Sequence, residues 1–327
     1  MISIVMPVKN AFKYLEECIL SIQNQSLADW ELIAIIDNSS DDSIHILNKF
    51  SDSDSRIKVF NNDGKGIIDA LILAYSKTEG EFISRMDADD KMHPNKLQML
   101  SDSLRENPKA IITAKVSYFS DTELGQGYLD YQNWLNQFID QQNHYSGIYQ
   151  ECVLPSPCWM MTRSTLDALG GFKSLSYPED YDLCFKAYQK NIQILGVNEI
   201  LHYWRDYSER TSRNDPNYAD NTFIELKTSY FIACDNKSDQ PLILWGAGKK
   251  GKKIARLLIE SGTKFIWATN NPKKLNVPIY DQQLVLDEEI SDIKDAQLII
   301  AIADRKASED ILRVLQASAV DEVYYFC

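Results

Sequence analysis

Over roughly the first 115 residues, short apolar β runs alternate with helical patterns. Ile2–Met6 is a continuous apolar run stopped by Pro7, after which Leu15, Ile19 and Ile22 recur at helical spacing. Glu31–Ile36 reads as a second buried strand ending at Asp37, and a Ser/Asp cluster then opens a helix carrying Ile44 and Leu47. A short strand at Ile57–Phe60, a helix at Gly66–Tyr75 and a strand at Glu81–Met86 continue the rhythm. Such a βαβα order predicts a mostly parallel sheet with helices on both faces. Ligands gather beyond the carboxyl ends of strands in sheets of this kind. The polar residues that follow strands, namely Asn10, Asp37 and the Asp87–Asp90 group, are therefore the candidates for chemistry.

Downstream the pattern is less regular. Residues 118–150 are rich in Tyr, Gln, Asn and Asp and read as a helix with long loops. Its Tyr128, Tyr131, Trp134 and Tyr145 could stack on sugar rings, though packing is the simpler role. A helix at Glu179–Gln189, an edge strand at Ile192–Val197 and a helix at Asn217–Ala233 follow. The polar run Asp235–Gln240 reads as a linker, which gives a first domain at 1–234 and a second at 241–327. The second opens with a strand, Leu242–Trp245, entering GAGKKG and a helix with Ile254, Leu257 and Leu258. Strands at Phe265–Ala268, Leu298–Ala303 and Glu322–Phe326 and a helix at Ile311–Leu315 complete a small α/β unit, predicted to be Rossmann-like.

Composition narrows the field. A chain of 327 residues, 44% hydrophobic and 25% charged, is long enough for two globular domains. Its 34 basic against 47 acidic residues, a net charge of −13, argue against a nucleic-acid-binding surface. The apolar stretch before Pro7 is too short for a secretory signal, and no run approaches the ~18 apolar residues of a membrane span. The expected location is the cytoplasm, with peripheral work at the inner face of a membrane left open. Six scattered cysteines without a CxxC pair read as reduced thiols.

Three carboxylates crowd into Asp87-Ala88-Asp89-Asp90 at the end of a buried strand. Like charges packed together cost energy unless a cation or hydrogen-bond donors neutralise them. An Asp-x-Asp spacing puts two carboxylates on one side of an extended chain, where they can face one divalent ion. Mg²⁺ or Mn²⁺, completing its shell on substrate phosphates, suits that set. The alternative is an acidic turn capping the next helix.

The runs PVKN (Pro7–Asn10), IIDNSSDD (Ile35–Asp42) and RMDADD (Arg85–Asp90) occur in that order. Together they resemble the donor-binding half of family 2 glycosyltransferases. Gly170-Gly171-Phe172 with Glu179-Asp180-Tyr181-Asp182-Leu183 is similar to that family's acceptor-side acidic motif. Trp204-Arg205 with Ser208, Ser212 and Arg213 is similar to its substrate-closing segment. The resemblance covers roughly the first 215 residues and implies roles. Pro7 and Asn10 would line a nucleotide pocket and Asp37 would accept a hydrogen bond from the base. Asp87 would lie near the ribose, and Asp89 would hold the metal on the diphosphate. Arg85 and Arg205 would act on the donor side. Asp180 would be the catalytic base, with Glu179 as the alternative. The implied reaction is inverting transfer from a nucleotide-sugar donor, with UDP the expected carrier, to a glycan or lipid-linked acceptor in surface polysaccharide or glycan synthesis. The chemistry is coherent: an oxocarbenium-like centre, a departing diphosphate and one base for the acceptor hydroxyl.

Departures from the family pattern stand out. One Asp remains where two are usual (Ile36-Asp37), Ile72 replaces a frequent Asn, and Tyr207 stands where a metal-reaching His is common, with His202 a disfavoured substitute. In the second domain, Gly246, Gly248 and Gly251 have the form of a nucleotide loop. The acid expected at the end of the following strand is replaced by Thr269-Asn270-Asn271, so NAD(P) is open but not favoured. The competing functions are a nicotinamide-dependent oxidoreductase and a non-catalytic nucleotide-sugar-binding protein; homo-oligomerisation stays open.

Overall fold

The computed structural model describes residues 1–173, 178–210, 213, 223–275, 277–302, 315 and 320–327, with the backbone alone at 291, 292 and 321. The chain divides into two compact units, Met1–Tyr145 with Val153–Pro216, and Ser146–Cys152 with Asn217–Cys327.

The first unit runs β1 (Ile2–Val8), α1 (Phe12–Gln23), β2 (Trp30–Ile36), α2 (Ser43–Ser53), β3 (Ile57–Asn61), α3 (Gly66–Ser76), β4 (Phe82–Arg85) and β5 (Lys91–Met92). It continues with α4 (Lys96–Glu106), β6 (Ile111–Phe119), α5 (Gln126–Gln141), β7 (Trp159–Thr162), α6 (Arg163–Ala168), α7 (Glu179–Gln189) and β8 (Ile194–Arg205). Its strands form one sheet in the order β3-β2-β1-β4-β7-β6-β8-β5. The half from β3 to β4 is parallel, as the βαβα rhythm predicts. Beyond it β7 runs antiparallel to both neighbours, and β5 antiparallel to β8.

β1 and β2 are apolar at nearly every position because both faces of the sheet are covered. Ile4, Met6, Leu32 and Ala34 face a core built with Leu15, Ile19 and Ile22 of α1, Leu47 of α2 and Leu97, Leu100 and Leu104 of α4. α3 packs on β1 and β2, where the alternate residues Val5, Ile33 and Ile35 are fully buried. The carboxyl ends of β1, β2 and β4 thereby open together onto one edge.

Two elements differ in extent from the expectation. The strand expected at the edge as Ile192–Val197 begins at Ile194 and runs on to Arg205; residues 194–197 pair with β6, and only the outer end also meets β5. Its polar outer half is accommodated because β5, two residues long, pairs with Tyr203 and His202. The domain boundary expected at 235–240 falls instead at 216/217, and residues 146–152 belong to the second unit. The expected linker is pinned: the fully buried Gln297 donates to Asp235 O at 2.7 Å and accepts from Lys237 N at 2.8 Å.

The second unit contains α8 (Ile224–Cys234), β9 (Leu242–Trp245), α9 (Lys249–Glu260), β10 (Ile266–Thr269), β11 (Leu284–Leu286), β12 (Ala296–Ile300) and β13 (Val320–Tyr325). Its sheet is parallel throughout, ordered β11-β10-β9-β12-β13. That is the 3-2-1-4-5 order of a Rossmann-like sheet. Residues 217–222 of the helix expected at Asn217–Ala233, Ala303 of the expected strand, and all but Leu315 of the helix expected at Ile311–Leu315 lie outside the described residues. No helix among the described residues is long and apolar enough to cross a membrane.

Replacing Gln297 with Leu removes its hydrogen bonds to Asp235 O, Lys237 N, Glu322 and Tyr324. The expected loss is about 2–4 kcal/mol in the unfolding of the second unit. Denaturant titration that finds a loss under about 1 kcal/mol would show that Gln297 does not hold this segment.

Candidate active site

At the nucleotide-side edge, Pro7 lies in the last turn of β1 pairing and Asn10 follows it with φ of 50°, a left-handed conformation that Asn tolerates. Asn10 Oδ1 accepts from Ser40 N at 2.8 Å, and Asn10 N donates to Ser39 Oγ at 3.0 Å. Asp37 is buried just beyond β2 and its N–H donates to Val8 O at 2.8 Å, which locks the ends of β1 and β2 together. One carboxylate oxygen, Oδ1, accepts from Asn62 Nδ2 at 2.8 Å, Gly66 N at 3.1 Å and Asn38 Nδ2 at 3.2 Å. The other, Oδ2, has Lys9 Nζ at 3.8 Å. The structure thus brings Pro7, Asn10 and Asp37 to one edge, with one Asp37 oxygen fixing loops and the other facing Lys9.

The acidic loop spans β4 and β5, and the β5–β8 pairing brings the end of β8 beside it. Asp90 is almost fully buried; its Oδ2 meets His202 Nε2 at 2.9 Å and its Oδ1 accepts from Arg205 N at 2.8 Å. Arg205 also donates through Nε to Asp89 O at 2.8 Å and pairs with Glu17. Its guanidinium sits over Tyr14 (4.3 Å) and Phe119 (4.4 Å). Arg205 is therefore a clamp on the acidic loop. Asp89 Oδ2 accepts from Tyr207 OH at 2.9 Å, so the Tyr at the usual His position anchors the carboxylate. Burial, then Asp90 and Asp87, push the Asp89 carboxyl up to about 7, while Arg210 pulls it down. Asp90 is also pushed up, chiefly by burial.

Across the site, Arg85 is buried at the end of β4 and joins two groups of acids. It donates through Nη1 to Glu179 Oε1 at 2.9 Å and through Nε to Asp87 Oδ1 at 3.3 Å. Burial alone would lower its affinity for a proton, but Asp87, Glu179 and Asp180 hold it above the ordinary arginine value. Glu179 is buried in this pair, whereas Asp180 is half-buried. Burial and the neighbouring Glu179 push the Asp180 carboxyl up to about 7, against the pull of Arg85.

Sequence reasoning missed several contributors. Glu17 and Tyr14 come from α1, Lys96 from α4, and Arg210 from just beyond β8. Arg210 acts on Asp89 and Asp90 and lies over Trp204 at 5.0 Å. Its signal was its place three residues after Tyr207 in the closing segment. Arg213 is held by Asp206 in a two-pronged pair, and Ser212 lies outside the described residues. The aromatic residues pack on one another: Tyr118 stacks on Trp204 (5.1 Å) and Tyr131 on Trp134 (5.7 Å). In the second unit, a Cβ at Gly251 would fall 1.9 Å from Gly246 O, so the tight turn needs glycine there. The loop carbonyls are already taken, Gly246 O by Trp267 Nε1 and Ala247 O by Lys274 Nζ. Gly248 precedes α9, and Asn271 closes a local turn where a ribose acid would stand.

The donor set suits a hard dication. Asp87 and Asp89 offer carboxylate oxygens, whereas Asp90 has both of its own occupied and His202 is turned wholly toward Asp90 and Lys96. No three His, Cys, Asp or Glu residues converge as a ligand cage among the described residues. One or two carboxylates completed by phosphate oxygens is the Mg²⁺ or Mn²⁺ arrangement.

Known proteins bear on this geometry. The model of the family described as "Glycosyl transferase family 2" matches residues 3–170. An uncharacterized glycosyltransferase of Rickettsia bellii is 28% identical over 231 residues, 71% of this chain and 32% of the relative. The chain thus spans about a third of that relative's length. Among solved structures, S. aureus TarS 1-349 in complex with UDP-GlcNAc aligns with a TM-score of 0.57 at 16% identity, over 86% of this chain and 77% of that one. The mannosyltransferase PcManGT of Pyrobaculum calidifontis, in complex with GDP-Man and Mn²⁺, aligns at 0.54 and 14% identity, over 72% and 65%. At these identities the likeness establishes the fold.

Asp89 gives a stability prediction. In the unfolded chain its carboxyl loses its proton near ~3.9, and in the folded chain it holds it to about 7. Raising the pH through that window therefore favours the unfolded state. Asp89→Asn should gain stability relative to the parent by about 1–2 kcal/mol between pH 4 and pH 7 without metal. Chemical denaturation showing a constant or shrinking gap would contradict the assignment of strain to Asp89.

Proposed function

The chain belongs to glycosyl transferase family 2, and we propose that it transfers a sugar from a nucleoside-diphosphate donor, with UDP as carrier, to a hydroxyl of a glycan or lipid-linked acceptor, inverting the anomeric centre. The carrying observation is the unequal fate of two adjacent acids: Glu179 is buried against Arg85, and Asp180 is half-buried with its carboxyl near neutrality. A carboxylate with a pKa close to the working pH is the better general base.

On this reading Pro7 and Asn10 line the nucleotide pocket, and Asp37 Oδ2 accepts from the base. Asp87 lies on the ribose side. Asp89 would hold a Mn²⁺ or Mg²⁺ ion, whose positive charge would stabilise the departing diphosphate. Arg85 adds to that field and fixes Glu179, which leaves Asp180 free to take the proton of the acceptor hydroxyl. The acceptor oxygen then bonds to the anomeric carbon as the bond to the phosphate oxygen breaks on the opposite face. One base and one displacement invert the configuration. Arg205 serves by holding the loop of Asp89. In the second unit a dinucleotide is not favoured, because Asn271 stands where the ribose acid would and closes a local turn.

Asp180→Asn should lower transfer by about 10²–10⁴-fold while leaving donor affinity within about two-fold. Glu179→Gln should keep measurable transfer and move the acid limb of the rate profile, expected near pH 7, to lower pH by removing the like charge. Steady-state kinetics that find full activity in Asp180→Asn would refute the assignment.

A further inference from the structure

Behind the acidic loop lies a line of buried polar groups that the transfer mechanism leaves unused. Lys96, the first residue of α4, is fully buried; its Nζ donates to Pro157 O at 2.6 Å and to His202 Nδ1 at 3.0 Å. His202, also fully buried, sits in β8 opposite Val116 of β6 and Met92 of β5. Because Nδ1 accepts from Lys96, Nε2 carries the hydrogen and donates to Asp90 Oδ2 at 2.9 Å. The line thus runs from the carbonyl just ahead of β7, through α4 and β8, to the acidic loop.

We propose that Lys96 and His202 are positioning residues: through Asp90 they fix the acidic loop so that Asp89 presents one carboxylate oxygen to the divalent ion. The proposal rests on the metal-and-donor reading given above. Asp90 has both oxygens occupied, by His202 and by the Arg205 N–H, so its place is set and it is withdrawn from ligation. Asp89 is the adjacent residue. Its backbone carbonyl is held by Arg205 and its Oδ2 by Tyr207, which leaves Oδ1 with no hydrogen bond among the described residues. Stability alone gives little reason for the arrangement, since an apolar set of equal volume often serves a core as well as buried charges do. Removing a group that orients a metal ligand typically costs 10–100-fold in metal affinity.

The test measures Mn²⁺ affinity in the presence of UDP, UDP affinity without metal, and thermal unfolding, on the full chain. Lys96→Met should fold, weaken Mn²⁺ about ten-fold or more and leave metal-free UDP binding unchanged. A folded Lys96→Met with Mn²⁺ affinity within two-fold of the parent overturns the proposal. Should that variant not fold, His202→Gln and His202→Asn decide. The Gln amide can accept from Lys96 and donate to Asp90, whereas Asn is one methylene too short. About ten-fold stronger Mn²⁺ binding in Gln than in Asn is expected, and equal affinities overturn the proposal. A parent protein that binds UDP without any Mn²⁺ dependence would instead remove the metal reading itself.

Discussion

The concentration of negative charge at the carboxyl end of β4 is the constraint from which the first unit's architecture follows. Asp87, Asp89 and Asp90 occupy one short loop, and Glu179 and Asp180 approach from α7. A buried like-charge cluster is tolerated only where donors and cations offset it. The fold supplies them from separate elements. Arg85 ties Asp87 to Glu179, Arg205 holds the backbone of Asp89 and the side chain of Asp90, and Lys96 reaches Asp90 through His202. Asp89 and Asp180 remain under-compensated, with carboxyls near 7. These two acids face what a transfer reaction would bring, a cation with its diphosphate and an acceptor proton.

Sheet topology makes this possible. The parallel half sets the ends of β1, β2 and β4 side by side, which gathers Asn10, Asp37 and the acidic loop. The mixed half returns β8 against β5, so that the end of β8 and the residues after it close over the same loop. Arg205 and Tyr207 then contact Asp89. A single slip in the short β5–β8 pairing would move His202 off Asp90, because side chains alternate between faces along a strand.

The first four strands and three helices were legible because both their periodicity and their ends are local. Ile4 and Val5 read as buried strand on opposite faces, and Asp37 and Asp87 mark where strands stop. The α/β character of the second unit was legible in its strand–glycine–helix opening, whereas its strand order was not. Other features depend on distant pairing. β8 looked like an edge because Asn198 and Glu199 interrupt its apolar run, yet its far half is covered by β5. The linker looked free because nothing in DNKSDQ announces Gln297 sixty residues on. Within the site, the carboxylates were legible from their crowding. Their partners were not: Lys96, Glu17 and Arg210 are single charges on amphipathic segments, and only the fold gives them an address. Arg205 shows the converse, a residue found from its motif whose contacts on Asp89, Asp90 and Glu17 only the fold reveals.

The central claim is that Asp89 and its neighbours await a cation bound together with a diphosphate. Calorimetric titration of UDP and UMP into the purified protein, each with and without Mn²⁺, tests it most directly. UDP binding that strengthens at least ten-fold with Mn²⁺, beside UMP binding that does not respond, is the predicted result. Equal affinity for UDP and UMP, indifferent to Mn²⁺, would contradict the account.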